Sequence, residues 1–211
     1  MGITIHYRGT LDDIDKLVEL TEELKTIAEA MKWEYQEIDD DWNEPVEASL
    51  MHKNGAAHID GNLGLKGILL VPGGGSESLH FCFDKDGNLY SVMGKMLVVD
   101  GTLSHEDSWV FVKTQFASPE LHAWICGLLK HLKKKYISDL EVFDDGEYWE
   151  TGDMDLLRKK MDFLNQKLGQ LSETLILHEV HFEMIFSFAR RRRAIARRVE
   201  AKGNRAQKGR V

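Results

Sequence analysis

The sequence predicts an α+β fold, a mainly antiparallel sheet covered by helices and followed by a long C-terminal helical extension. Three observations carry it. Short β-branched and aromatic runs separated by turn residues fill much of the first 153 residues; two apolar stripes at helical spacing interrupt them; and a heptad seam follows from Leu157. The expected order is β-α-β-β-β-β-α. With 211 residues and 43% hydrophobic content, the chain can bury one domain's core and still carry an extension. We divide it into an α+β body over 1–153, a helical heptad segment over 154–189, and a partly disordered basic tail over 190–211.

The elements follow in order. Ile3-Thr4-Ile5-His6-Tyr7 is β-prone and closes at Arg8-Gly9-Thr10. Thr10 can cap a helix whose apolar stripe runs through Leu11, Ile14, Leu17, Val18, Leu24, Ile27, Ala28 and Met31. Trp33 to Ile38 alternates with period two and reads as a strand with one wet face. Residues 43–65 hold no sustained period and predict a connection with a short helix around Val46 to Met51. Lys66 to Val71, Leu79 to Phe83, Leu89 to Met93 and Trp109 to Thr114 read as strands of one antiparallel sheet, with Leu97 to Val99 a further short one. Asp84-Lys85-Asp86-Gly87-Asn88 is a hairpin turn. Ser118-Pro119-Glu120 starts a helix with a capping serine and a proline at its first position, and Leu121, Trp124, Ile125, Leu128, Leu129 and Leu132 supply its buried face. Leu140 to Phe143 is a last strand before the acidic loop Asp144 to Asp153.

Leu157, Met161, Leu164, Leu168, Leu171 and Leu175 are spaced four, three, four, three and four apart, a heptad seam that predicts self-association or docking. From Ile176 to Phe188 apolar and polar residues also alternate, so strand competes with helix there; helix is favoured. We expect a homo-oligomer formed through this segment.

Charge is the clearest functional signal. Residues 190–211 carry eight Arg and two Lys against Glu200, a net charge of +9, so that residues 1–189 hold −17 of the overall −8. Arg190, Arg191, Arg192, Arg193, Arg197 and Arg198 are the candidate binding residues, suited to the phosphates of a nucleic acid or to an acidic protein surface. No aromatic residue lies among them to stack on bases. The bland alternative is a clamp onto the chain's own acidic body.

Signatures of catalysis are weak. His178 and His181, and His122 and Cys126, each share a helical face, but neither pair has further ligands at recognisable spacing. Asp39-Asp40-Asp41 and the Asp144–Asp153 loop could converge on a cation or form an acid/base pair, which supports a hydrolase or transferase only thinly. Gly73-Gly74-Gly75 lacks the lysine and the following helix of a phosphate loop, and reads as a hairpin loop. Cys82 and Cys126 lie in apolar runs and read as buried thiols. No cofactor is expected. The most apolar run, Leu171 to Phe188, is broken by Glu173, His178, Glu179, His181 and Glu183, so no membrane span is expected. The N-terminus lacks the pattern of a signal peptide, and the expected location is the cytoplasm. The reading is a non-enzymatic binding or assembly protein with a basic C-terminal arm; the alternative is the hydrolase or transferase.

Overall fold

Ile5 and Tyr7 alternate with Thr4, His6 and Arg8, and β1 (Thr4–Arg8) accordingly buries the first pair and leaves the other three half-covered. In the computed structural model, which describes residues 2–53 and 56–170, β1 is the middle of a three-stranded sheet. β8 (Val110–Lys113) flanks it on one side and β9 (Glu141–Asp144) on the other, both antiparallel.

A second antiparallel sheet has the order β2-β5-β6-β7, built from β2 (Glu34–Asp39), β5 (Lys66–Val71), β6 (Leu79–Phe83) and β7 (Leu89–Tyr90). Its alternation serves two cores. Ile68, Leu70, Leu79, Phe81 and Phe83 join the main core with Ile5, Tyr7, Val110 and Val112. Cys82 and Tyr90 point the other way, into a smaller cluster with Leu63, Leu65 and Met96. Between the sheets, the buried Tyr7 hydroxyl donates to the His80 carbonyl and accepts from the His80 amide, each at 3.1 Å. Burial pushes this phenol's pKa far above its ordinary value.

Two helices complete the main core. α1 (Leu17–Met31) buries Leu17, Leu20, Leu24 and Ala28, and α3 (Pro119–Lys135) buries Ile125, Leu128, Leu129 and Leu132. The Ser118 hydroxyl caps α3 by accepting the Leu121 amide at 3.1 Å, and Lys133, Lys134 and Lys135 sit at its negative end. Both cysteines are buried and free. The fold is thus the α+β, antiparallel architecture that the sequence predicts, with its sheet divided into separate pieces.

Four local expectations are corrected. Residues 47–62 form no helix but a two-stranded antiparallel hairpin, β3 (Glu47–Lys53) and β4 (Ala56–Asn62). The expected strand at Leu97 to Val99 belongs to α2 (Val92–Val99), because the Ser91 hydroxyl accepts the Gly94 amide at 2.9 Å and starts a helix directly after β7. Thr10 does not cap the first helix: it bridges Asn88, while Asp13 accepts the Asp15 amide and starts a short 3-10 turn (Ile14–Lys16) ahead of α1. The single sheet is three sheets, of three, four and two strands.

The chain divides into two compact units, 1–162 and 163–211. In the first, a four-residue helix, α4 (Tyr148–Thr151), follows β9, and a further helix, α5, begins at 154 after Asp153 caps it by accepting the Asp155 and Leu156 amides. Leu157 and Met161 of α5 are buried. In the second unit the helical residues run to 170, and Leu164 and Leu168, the next two heptad positions, are less exposed than their neighbours. The rest of the seam, His178, His181 and Arg190 to Arg198 lie outside the described residues.

Candidate functional site

Three arrangements hold the chemistry of the first unit: a buried polar cluster, an aromatic sheet face and an acidic cleft. The cluster grows from α3. His122 and Cys126 are one helical turn apart and face inward, where β8 and β9 end. The His122 Nδ1 lies 2.7 Å from the Thr114 hydroxyl, and its Nε2 3.1 Å from the Asp144 carboxylate. Asp144 in turn accepts the amides of Gly146, Tyr148 and Trp149 at 2.7, 2.8 and 3.0 Å. Burial pushes the Asp144 carboxyl up, but the His122 hydrogen bond and charge, with the Trp149 and Gly146 amides, outweigh it and hold the group below the usual carboxylate range.

Hydroxyl, imidazole and carboxylate therefore stand in the order of a general-base relay. Thr114 and His122 are 0% exposed and Asp144 3%, so a substrate atom has no path to the hydroxyl. The same place is the one grouping of three or more candidate metal ligands among the described residues: donor atoms of His122, Cys126 and Asp144 lie within 4.8 Å of one another. The donor types suit zinc, but the arrangement does not fit it. Both Asp144 oxygens are taken by backbone amides, both ring nitrogens of His122 are engaged, and burial together with the Asp144 charge pushes the Cys126 thiol up, away from the thiolate a metal needs. The cluster fits a satisfied network that ties β8, α3 and β9 together.

The second arrangement is the outer face of the three-stranded sheet. Register places Phe111, His6 and Phe143 side by side across β8, β1 and β9. Ring centroids are 6.3 Å apart from Phe111 to His6 and 6.0 Å from His6 to Phe143. Phe111 is 53% exposed and Phe143 59%, an unusual amount of aromatic surface to leave wet on one sheet face. Next along β1, Arg8 lies in register with Glu141 and beside Trp109, the residue just ahead of β8. The Arg8 guanidinium stacks over the Trp109 ring at 4.4 Å and pairs with both oxygens of Glu141 at 3.1 and 3.0 Å.

This group opens onto the third arrangement, a cleft of about 230 Å³ whose polar lining includes Glu106, Asp139, Glu141, His105 and Ser108 beside Arg8. The Asp139 carboxylate is fixed by the Thr10 amide, which donates to it at 2.8 Å. Ser108 is 4% exposed, and its hydroxyl has no hydrogen-bond partner among the described residues.

The acid-rich loops do not converge. Asp39 pairs with Lys66, Asp40 accepts the Leu63 and Leu65 amides, and Asp41 binds Asn43, all within the second sheet and its hairpin loop. In the Asp84–Asn88 turn the Asp84 carboxylate accepts the Asp86 and Asn88 amides and pairs with Lys95 at 3.2 Å, the lysine that stands where a calcium loop needs a glutamate. Helical spacing singles out His122 with Cys126 but not Asp144 as their partner, and it gives no hint of the aromatic row. The row has a signal of its own: Phe111 and Phe143 sit on the polar side of their strands' alternation. No protein-family model matches this chain, and no curated protein or solved structure is similar to it.

Proposed function

We propose that this chain is a non-enzymatic binding or assembly protein that recognises a partner on the open face of its three-stranded sheet. The observation that carries the proposal is the row Phe111, His6 and Phe143, held in register across three strands and left to solvent. Covering a phenylalanine gains on the order of 2 kcal/mol, so leaving two of them wet on a rigid sheet costs stability that a partner recovers. The basic arm from Arg190 to Arg198 remains the second part of the proposal, for an acidic partner such as nucleic acid, and rests on its charge. Self-association through the heptad segment belongs to the same reading and rests on the spacing of its leucines. The hydrolase or transferase reading is weaker, because its best constellation, Thr114, His122 and Asp144, is sealed.

The test is selection from a displayed library of random peptides on the full chain, with the Phe111→Ser/Phe143→Ser variant as counter-target. Peptides that enrich on the wild type and are lost on a variant of unchanged melting temperature are expected. Enrichment that is equal on both proteins removes the sheet face from the proposal.

A further inference from the structure

Resting on that reading, we infer that the partner of the sheet face is a short extended peptide that lays apolar side chains on the Phe111, His6 and Phe143 row and carries an arginine or lysine into the adjoining cleft. Size comes first. Three strands spaced about 4.8 Å apart and four or five residues long present on the order of 200 Å², far below the roughly 800 Å² per partner of a stable protein interface. A second folded protein needs more surface than that; a few extended residues do not.

Charge selects the kind of peptide. Glu106, Asp139 and Glu141 line the cleft, and the one arginine there, Arg8, is already neutralised by Glu141. Arg8 also shows what the rim accepts, since it donates to the Glu106 carbonyl at 2.7 Å while stacking on Trp109. An incoming cation meets a cleft lined by Glu106 and Asp139, whose carboxylates no lysine or arginine of the described residues pairs with. Phosphates of a nucleic acid meet the same carboxylates as repulsion, so stacking bases on the aromatic row is the disfavoured occupant.

Spacing agrees. His6 and Arg8 are two residues apart on β1, about 7 Å along the strand, with the cleft directly beyond at Gly9 and Thr10. An extended peptide repeats its side chains at that interval. One apolar side chain on the aromatic row therefore puts a side chain two or four residues along at the cleft.

Fluorescence anisotropy on the full chain tests this with three labelled probes: a hexapeptide with phenylalanine at positions 1 and 3, arginine at position 5 and serine at the others, its twin with citrulline for arginine, and an eight-nucleotide oligothymidylate. The arginine peptide is expected to bind at least tenfold more tightly than its citrulline twin. Glu106→Gln/Asp139→Asn, checked for unchanged melting, should erase that difference, whereas Phe111→Ser/Phe143→Ser should weaken both peptides. Equal binding of the two peptides to the wild type overturns the cationic inference and leaves the sheet-face reading standing if the phenylalanine variant still weakens both. Oligothymidylate binding that is tighter than either peptide's and that Phe111→Ser/Phe143→Ser weakens puts nucleic acid on the sheet face and overturns the peptide inference. If no probe binds, the inference falls, and the library selection alone then judges the sheet face.

Discussion

At the scale of single residues, His80 contributes to how the fold responds to acid. It lies in β6, and burial pushes its pKa down to about 4. Between pH 6.5 and 4 the unfolded chain binds a proton that the folded chain refuses, so this contribution to stability is present above about 6.5 and is lost as pH falls towards 4. A tenfold difference in proton affinity between the two states corresponds to about 1.4 kcal/mol, and the loss is therefore on the order of 1–3 kcal/mol. His80→Gln should flatten the stability profile in that window, as read from urea midpoints at pH 7, 5.5 and 4.5; a profile as steep as the wild type's refutes the assignment. Glu23 adds a limb at lower pH. Burial raises its carboxyl, but hydrogen bonds from Lys135, Tyr136 and His131 together hold it at about 2, so its contribution survives until well below the usual carboxylate range. How much of this is legible in the sequence depends on distance along the chain. His122 and Cys126 can be paired because a helix fixes their spacing. Asp144 cannot, because it reaches them only through the pairing of β9 with β1, which no local pattern encodes.

At the scale of elements, local chemistry decides and is readable where it is undivided. Ser118 with Pro119 announces α3, and the Ser118 hydroxyl holds the Leu121 amide as expected. Ser118→Ala should cost about 1 kcal/mol, the usual worth of such a cap, and Ser118→Asp should restore most of it. Thermal melts of the two variants measure this, and an alanine variant as stable as the wild type shows the cap to be redundant with the proline. Elements with mixed signals depart from expectation for physical reasons. Residues 47–62 mix charged, small and apolar residues without a period, and their strands are stabilised by pairing with each other. The Asn54-Gly55 dipeptide, a hairpin signal, is the better guide there. Val92 to Val99 is β-prone in composition, yet the Ser91 cap turns it into a helix. The Gly73-Gly74-Gly75 loop is the hairpin connection that its sequence predicts. Its last glycine is needed where it stands: at φ +87°, a Cβ there would lie 2.2 Å from the Phe116 carbonyl oxygen.

At the scale of the whole molecule, charge division is the property the sequence states most directly. Residues 1–189 carry −17 and the tail +9, and a protein so divided should change its partners with salt. Retention on heparin at low salt, lost in a chain ending at Ala189, is the expected outcome; retention unchanged by the truncation moves the anion-binding surface elsewhere. Fold class is legible, because alternation and helical stripes survive averaging over many residues. Strand order is not. Runs of similar composition, such as Leu79 to Phe83 and Trp109 to Thr114, end up in different sheets for reasons that lie in their long-range neighbours. The position of β1 between β8 and β9 has a consequence for how the protein is made. Thr4 waits for Lys113 and Ile5 for Asp144, so β1 leaves the ribosome well before either of its neighbours. At about 5–20 residues per second of synthesis, both its edges stay open for on the order of ten seconds. In that interval an emerging copy on the same messenger competes for β1, and the half-covered polar residues Thr4, His6 and Arg8 that alternate with Ile5 and Tyr7 count against such pairing.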